Sequence, residues 1–494
     1  MSCHQPSTSR PHPGRRFAAL TVGMALALTL CLPATPAFAV LAPPNVTASS
    51  PALAGKVLKH PSPGTPQLAP TGTTEQIKQL VQCGGTMYAV GTFTAISQDG
   101  VTVTRDNVFS FGASSPYAIT SWNPDVNGTV YTITFNDGNC ADAYIGGKFT
   151  SVGATVAKNI AEVDTTTGAV VSTFRHSASS VVESLLAVNG HLLTGGRFKN
   201  INSSHNAASY YFASLSPATG MNDHFLALHI SGEYQFPGAH WNRTEITRQE
   251  LSNDGTRDLV EGDFTSVGGK PRQQIFMLDL TRPHARVTGW SSPEWDASSG
   301  VTPECGDSHP EYIADAAWSP DDKIIYIADT GFRPYDWSGV FPLSGLCDAV
   351  AAFPATPVEV LHRWVNYSGC NSFFSVAADS RVIYAAGHER WGDNAFGCKS
   401  AGPGAVTTTG MTGFKLSGSV LLNTRGTGYY KRGRGLGADT MLLTPAGLWI
   451  GSDNLNGTND CGGQSGYAGI CFLPYRASGP PPTTPPGALT GRRR

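Results

Sequence analysis

Tyr144-Ile-Gly-Gly-Lys-Phe-Thr-Ser-Val-Gly153 decides how this chain folds, because the same segment returns along the sequence. Its second half recurs letter for letter as Phe264-Thr-Ser-Val-Gly268 and closely as Phe93-Thr-Ala-Ile-Ser97. Its first half returns as Tyr88-Ala-Val-Gly-Thr-Phe93, Leu193-Thr-Gly-Gly-Arg-Phe198 and Leu259-Val-Glu-Gly-Asp-Phe264. Weaker copies stand at Tyr326-Ile-Ala-Asp329, Tyr384-Ala-Ala-Gly387 and Trp449-Ile-Gly-Ser452, which makes seven. Around each copy lie a β-branched run such as Val130-Tyr-Thr-Ile-Thr-Phe135, a turn, the glycine-bearing run, a third run such as Ile160-Ala-Glu-Val163, a Thr167-Gly168 turn and a fourth run from Val170 to Phe174. That alternation predicts a four-stranded antiparallel unit. The glycines are expected where units converge, since a bulky side chain there would hold neighbouring backbones apart.

Seven such units, the first four ending in phenylalanines 56, 49 and 66 residues apart, predict an all-β chain folded as a seven-bladed β-propeller of four-stranded antiparallel blades. The composition agrees: 14% charged residues, 10% aromatic and 56 glycines disfavour helix. The last unit offers runs near Asp439 to Leu443, Leu448 to Gly451 and Gly469 to Leu473 but no clear fourth strand. The N-terminal stretch Lys56-Val-Leu-Lys-His60 is expected to supply it and close the circle.

Residues 1-39 read as a signal peptide, with Arg10, Arg15 and Arg16 before the apolar run Phe17 to Leu32, and Ala37-Phe38-Ala39 as the cleavage site. The run is short for a bilayer span, so no membrane span is expected after cleavage. Residues 40-64 form an N-terminal segment holding the ring-closing strand, 65-475 the propeller, and 476-494 a Pro-rich C-terminal tail. The chain is accordingly expected outside the cell, secreted or associated with the surface, and monomeric.

The residues from about Thr65 to Tyr475 resemble the secreted actinobacterial β-propeller repeat proteins with delta-sixty-type repeats, which are often joined to Ig-like extracellular domains. The likeness rests on the Phe-Thr-Ser-Val-Gly units, Trp122-Asn-Pro-Asp-Val-Asn-Gly-Thr-Val130, Trp364-Val-Asn-Tyr-Ser368, Gly387-His-Glu-Arg-Trp391 and Gly447-Leu-Trp-Ile-Gly-Ser-Asp453. It implies a propeller fold and an extracellular setting, and supplies no catalytic residues.

Once Cys3 and Cys31 leave with the signal, eight cysteines remain, an even number in an oxidising compartment. The loop entering the first strand of a blade and the loop between its second and third strands share one rim, the top. Cys305 and Cys347 occupy those two loops in the fifth unit, and Cys370 and Cys398 in the sixth, so each pair is expected to bond. Cys461 and Cys471 should pair locally, and Cys83 and Cys140 should tie two adjacent blades on the bottom rim. Each bridge typically adds about 2 to 4 kcal/mol.

Function is expected on the top rim. Three insertions there carry aromatics beside polar groups, a combination that suits a sugar or peptide surface. They contribute Trp241 and Arg243, then Trp295 and His309, then His388, Glu389, Arg390, Trp391 and Asp393 as candidate ligand-binding residues. The motifs of serine hydrolases, zinc proteases and P-loop enzymes are absent, so no catalytic residue is assigned. No cofactor is expected; the one metal with a place in the pattern is a calcium ion near the axis, because Glu183, Asp315 and Asp439 fall in first strands. A formal net charge of -2 without a basic cluster argues against nucleic acid. The reading is a secreted binding or scaffold propeller whose partner is a surface glycan or an extracellular protein. The alternative is a polysaccharide-acting hydrolase or lyase with a top-face site, which would need two carboxyls at a set separation.

Overall fold

The computed structural model describes residues 57, 60–69, 71, 75–136, 139–234, 243–295, 305, 312–331, 346–408, 410–421, 438–453, 461 and 467–475. The signal and the Pro-rich tail lie outside them. The described chain is all-β, its helical content limited to the 3-10 turns Ala207–Ser209 and Pro293–Trp295, and it has no helix long and apolar enough to cross a membrane.

Among the described residues, seven antiparallel meanders follow one another, each with its strands hydrogen-bonded in chain order. Their first strands are Gln76–Cys83, Val130–Phe135, Val182–Val188, Glu245–Leu251, Ile313–Trp318, Phe373–Ala378 and Ala438–Thr444. The second strands carry the repeated glycine run, from Thr86–Thr92 to Gly447–Ser452. Each first strand packs against the first strand of the next sheet, and Ala438–Thr444 packs against Gln76–Cys83. The first strands are rich in Val, Ile and Leu because both faces of each sheet are covered by neighbours, and the core is a series of clusters lying between successive sheets.

The fourth strand departs from expectation. Only the fourth and fifth sheets keep one, at Arg286–Val287 and Trp364–Tyr367. In the first, second, third and sixth sheets it shrinks to single bridges, Phe111 with Ile119, Val163 with Val170, Leu215 with Asn222 and Phe414 with Val420. This outermost position has no partner beyond it, and a short edge limits pairing with other chains. In the seventh sheet the bridge comes from the other end of the sequence, Val57 lying antiparallel to Tyr475. The Val57 amide also donates to the Tyr384 hydroxyl at 3.1 Å. Ser62 and Leu68 amides donate to the Phe472 and Ala468 carbonyls, both at 2.8 Å.

Every first strand carries a bulge one residue after its start, between Ile77 and Gln79, Val130 and Thr132, Val182 and Ser184, Ile246 and Arg248, Ile313 and Asp315, Phe373 and Ser375, and Ala438 and Thr440. The bulge gives the paired glycines two different jobs. A Cβ on Gly262 would sit 2.0 Å from the Glu245 carbonyl oxygen, within its own sheet, whereas one on Gly195 would sit 2.5 Å from the Ile246 side chain of the next sheet. The first job answers the bulge, the second the convergence of sheets expected from the sequence.

Two further regularities tie sheet to sheet. The residue before each third strand has positive φ in all seven: Asn107, Asn159, Tyr211, Gln274, Asp348, Gly410 and Gly469. From there Asn107 Nδ2 donates to the Val126 carbonyl at 2.7 Å, Asn159 Nδ2 to Ala178 at 2.9 Å, and Gln274 Oε1 accepts from the Ile313 amide at 3.1 Å, each reaching the entry of the next sheet. Farther out, the indoles of Trp122, Trp290 and Trp364 donate to the Asp164, Pro354 and Leu416 carbonyls of the following sheet.

Four disulfides join Cys83 to Cys140, Cys305 to Cys347, Cys370 to Cys398 and Cys461 to Cys471, the pairing drawn from loop positions. The first links the first and second sheets at the turns between their first two strands.

Gly262→Ala is expected to cost at least about 1 to 3 kcal/mol, because the carbonyl it would strike is fixed by the bulge. Gly85→Ala, where nothing lies within 4 Å of an added Cβ, is the matched control and should change little. Urea unfolding of the two variants beside the parent checks this.

Candidate functional site

Two regions come into question, the top-rim loops and a cavity enclosed by the first strands. On the rim, the sixth sheet's insertion is a built structure. Trp391-Gly392 pairs with Val406-Thr407 as a short ribbon between the second and third strands, and Cys370–Cys398 anchors it. Asn394 is fully buried: its Nδ2 donates to the Ser368 carbonyl at 2.9 Å and its Oδ1 accepts from the Gly402 amide at 2.8 Å. The Asp393 carboxylate accepts from Asn366 Nδ2 at 2.5 Å and from the Val420 amide at 3.2 Å, so it holds the loop in place.

On that ribbon the Arg390 guanidinium lies 4.6 Å from the centre of the half-buried Trp391 ring, a cation–π contact. Arg390 Nε donates to Asn371 Oδ1 at 3.2 Å, and Phe396 farther along the loop is 55% exposed. His388 packs edge-on to Phe374. Glu389 does not face solvent. It is fully buried, its Oε1 accepts from the Thr412 hydroxyl at 3.2 Å, and burial pushes its pKa well above the ordinary range.

The other rim candidates do not join this group. Trp295 is 2% exposed, packed on Trp290 and Phe353 in the interior and not on the rim where the sequence placed it; a large apolar ring beside a core cluster gains more from burial than from solvent. Arg243 is exposed, and its amide donates to Asp263 Oδ2 at 3.3 Å. Asp263 Oδ1 accepts from the Tyr234 amide at 2.5 Å, so this carboxylate gathers both ends of residues 235–242. Trp241 and His309 lie outside the described residues. The structure thus sets the Arg390 guanidinium on the Trp391 ring, holds His388 against Phe374 and Asp393 against Asn366 and Val420, and leaves Trp295 and Glu389 in the interior.

The cavity has a volume of about 450 Å³ and is walled by residues of all seven first strands. Lys78, Tyr131, Glu183, Thr247 and Asp439 stand near the strand starts, and Leu251, Trp318, Ala378 and Leu443 near the ends, so it runs from a charged end to an apolar one. Lys78 Nζ lies 3.3 Å from Asp439 Oδ2, and Arg248 Nη1 3.3 Å from Asp315 Oδ1. Asp315 Oδ2 also accepts from the Val376 amide at 2.9 Å. At the charged end Arg197 pairs with Glu183 at 2.8 Å and with Glu245.

Burial and the crowding of acids raise several of these groups. Glu261 is pushed up to about 8 by burial and then by Asp315; Glu183 to about 7 by burial and Glu245; Asp315 to about 6 by burial, offset by Arg248. Glu250 is raised well above its ordinary value by burial and then by Asp315 and Glu261. Glu183, Asp315 and Asp439, the axial acids named from sequence, do line this cavity. Among the described residues no three His, Cys, Asp or Glu side chains converge as metal ligands would. Arg248, Glu250 and Glu261 were passed over in the sequence. The signal was there, because Leu259-Val-Glu-Gly-Asp-Phe264 has an acid where the aligned copies carry Val90, Gly146 or Gly195.

No protein-family model matches this chain, and no curated protein does. Solved structures do show likeness. The β-propeller domain of Myceliophteria thermophila Cps50 (Swd1) has 11% identity over 63% of this chain and 80% of its own, at a TM-score of 0.36. The WD40 repeats of RRP9 give 9% identity over 85% of this chain and 100% of theirs, at 0.43. The computationally designed Ika8 protein gives 9% over 83% and 98%, at 0.38.

The raised acids set a sign for the pH dependence of stability. A carboxyl whose folded pKa exceeds its unfolded one favours the fold below the unfolded value and loses that contribution as pH climbs through the folded one. With Asp315 near 6, Glu183 near 7 and Glu261 near 8, stability should fall between about pH 4.5 and pH 8. Glu261→Gln should remove the upper part of that decline. Thermal melts at half-unit pH intervals measure it.

Proposed function

We propose that this chain is an exported binding module: a seven-bladed β-propeller, closed by its N-terminal segment, that presents the Arg390–Trp391 corner of its top rim to a surface glycan or an extracellular protein. Three observations support the ring. The seven first strands wall one cavity, the last packs on the first, and Val57 bridges Tyr475 at the outer edge of the final sheet. Export is supported by the N-terminal sequence and by four disulfides, which persist in oxidising compartments.

The binding role is carried by the prebuilt state of the Trp391 ribbon. A guanidinium stacked on an indole offers a flat apolar face ringed by N–H donors, which suits the apolar face and hydroxyls of a sugar or the side chains of a peptide. Because buried Asn394, Asp393 and a disulfide hold the loop, little conformational entropy remains to be lost when a partner docks.

Purified protein screened on an array of bacterial and plant polysaccharides should show saturable binding that Trp391→Ala weakens at least tenfold with an unchanged melting temperature. Binding that survives Trp391→Ala intact would move the site off this ribbon. No glycan binding at all would leave a protein partner as the reading, to be sought with the same variant as control.

A further inference from the structure

The seven sheets obey one rule at the position after the bulge on the second strand. It reads Val90, Gly146, Gly195, Ala328, Ala386 and Gly451 in six sheets, small or apolar because the next sheet's first strand packs there. The fourth sheet has Glu261, paired across the ladder with Arg248. Two residues farther along the first strand, at Glu250, the other sheets carry Val81, Thr134, Leu186, Ala317, Ala377 and Leu442. Both departures lie in one sheet, and both residues line the cavity.

Glu261 is fully buried, and neither carboxylate oxygen has a hydrogen-bond partner. Arg248, the nearest cation by register, is turned instead to Asp315 Oδ1 and to the Asp439 carbonyl, at 3.3 Å each. Gln249 Oε1, also on the cavity wall, is a second buried acceptor with no donor. An acceptor left unpaired in the interior costs its lost hydration, and breaks of a repeat rule at such cost fall at functional sites. What Glu261 and Gln249 lack is therefore an N–H donor, because Lys78 and Arg248 on the same wall are turned to Asp439 and Asp315. Beyond the acids it turns apolar, through Leu186, Leu251, Met441 and Leu443.

We propose that the cavity binds an alkylammonium ion, a linear primary amine whose –NH₃⁺ head donates to Glu261, beside Glu250, while its aliphatic chain lies along the leucines toward the apolar end. An ammonium brings three donors and a unit charge. Arg248 is committed to Asp315 and to the Asp439 carbonyl, so Glu261 keeps both carboxyl oxygens for the incoming ammonium. A volume of about 450 Å³ is in the range of small-ligand pockets. A metal ion fits less well, since among the described residues the acids do not converge in threes.

The test is calorimetric titration of the purified full chain with 1,5-diaminopentane and with n-butylammonium, beside n-butanol and calcium chloride. The amines should bind saturably at one site, n-butanol should give no saturable heat, and Glu261→Gln should weaken the amines at least tenfold. Glu261→Gln keeps the size of the side chain and removes the raised acid, so it should melt no lower than the parent, and Glu250→Gln serves as a second variant if it does. Trp391→Ala should leave amine affinity unchanged, which separates this site from the rim. No saturable amine binding up to 50 times a millimolar dissociation constant, or tighter binding of calcium with the amines excluded, overturns the proposal.

Discussion

In six of the seven sheets one polar side chain, placed just after the bulge of the first strand, ties the structure together by reaching the next first strand. Gln79 Oε1 accepts from the Ile133 amide at 2.7 Å, Thr132 Oγ1 from the Leu185 amide at 3.2 Å, and Ser184 Oγ from Gln249 Nε2 at 2.9 Å. Arg248 reaches Asp315, Asp315 reaches the Val376 amide, and the Ser375 hydroxyl donates to the Ala438 carbonyl at 3.2 Å. Each such bond is worth only about 1 kcal/mol, but together they fix the angular step from sheet to sheet. Between the seventh and first sheets the tie is made differently, by Lys78 with Asp439 and by Ile77 packed against Gly451. The bulge makes the arrangement possible, because it turns that side chain out of its own ladder and toward its neighbour.

Much of this was legible in the sequence because it is periodic. The glycine run and the third-strand runs recur at fixed places in each unit, the cysteines of the first and second units and of the fifth and sixth stand at matching loop positions, and sheet order follows from chain order once the repeat is seen. The shrunken fourth strands were not legible, since Ile119 or Val170 reads as part of a run whether one residue pairs or four do. Nor was the burial of Trp295, because an aromatic in a long loop is equally suited to crowning the loop or packing beneath it. The buried state of Glu389 was hidden for the same reason: an acid next to an exposed-looking Arg390-Trp391 pair shows its direction only once the ribbon's twist is known.

The fourth sheet illustrates how a repeat fold gains chemistry. Six sheets satisfy the packing rule, and their uniformity makes Glu261 and Glu250 informative without any relative to compare against. Glu250 and Glu261 on the first two strands of this sheet face Asp315 on the first strand of the next, so burial and mutual repulsion raise them together, while Arg248 moderates the effect. The rim ribbon of the sixth sheet is a second departure, an insertion rather than a substitution, and it carries its own staple and its own hydrogen bonds. Loops change with little effect on the scaffold, whereas a change at the axis is felt by every sheet that faces it.

The account stands on the seven sheets forming one cooperative ring, and native-state hydrogen exchange measures that directly. In a ring the amides of Gln76–Cys83 and Ala438–Thr444 have a neighbour on both sides, so they should exchange with the same opening free energy as those of Val182–Val188 in the middle of the chain. Amides of the first and seventh sheets that open well before those of the third would describe an open stack with fraying ends and would contradict closure.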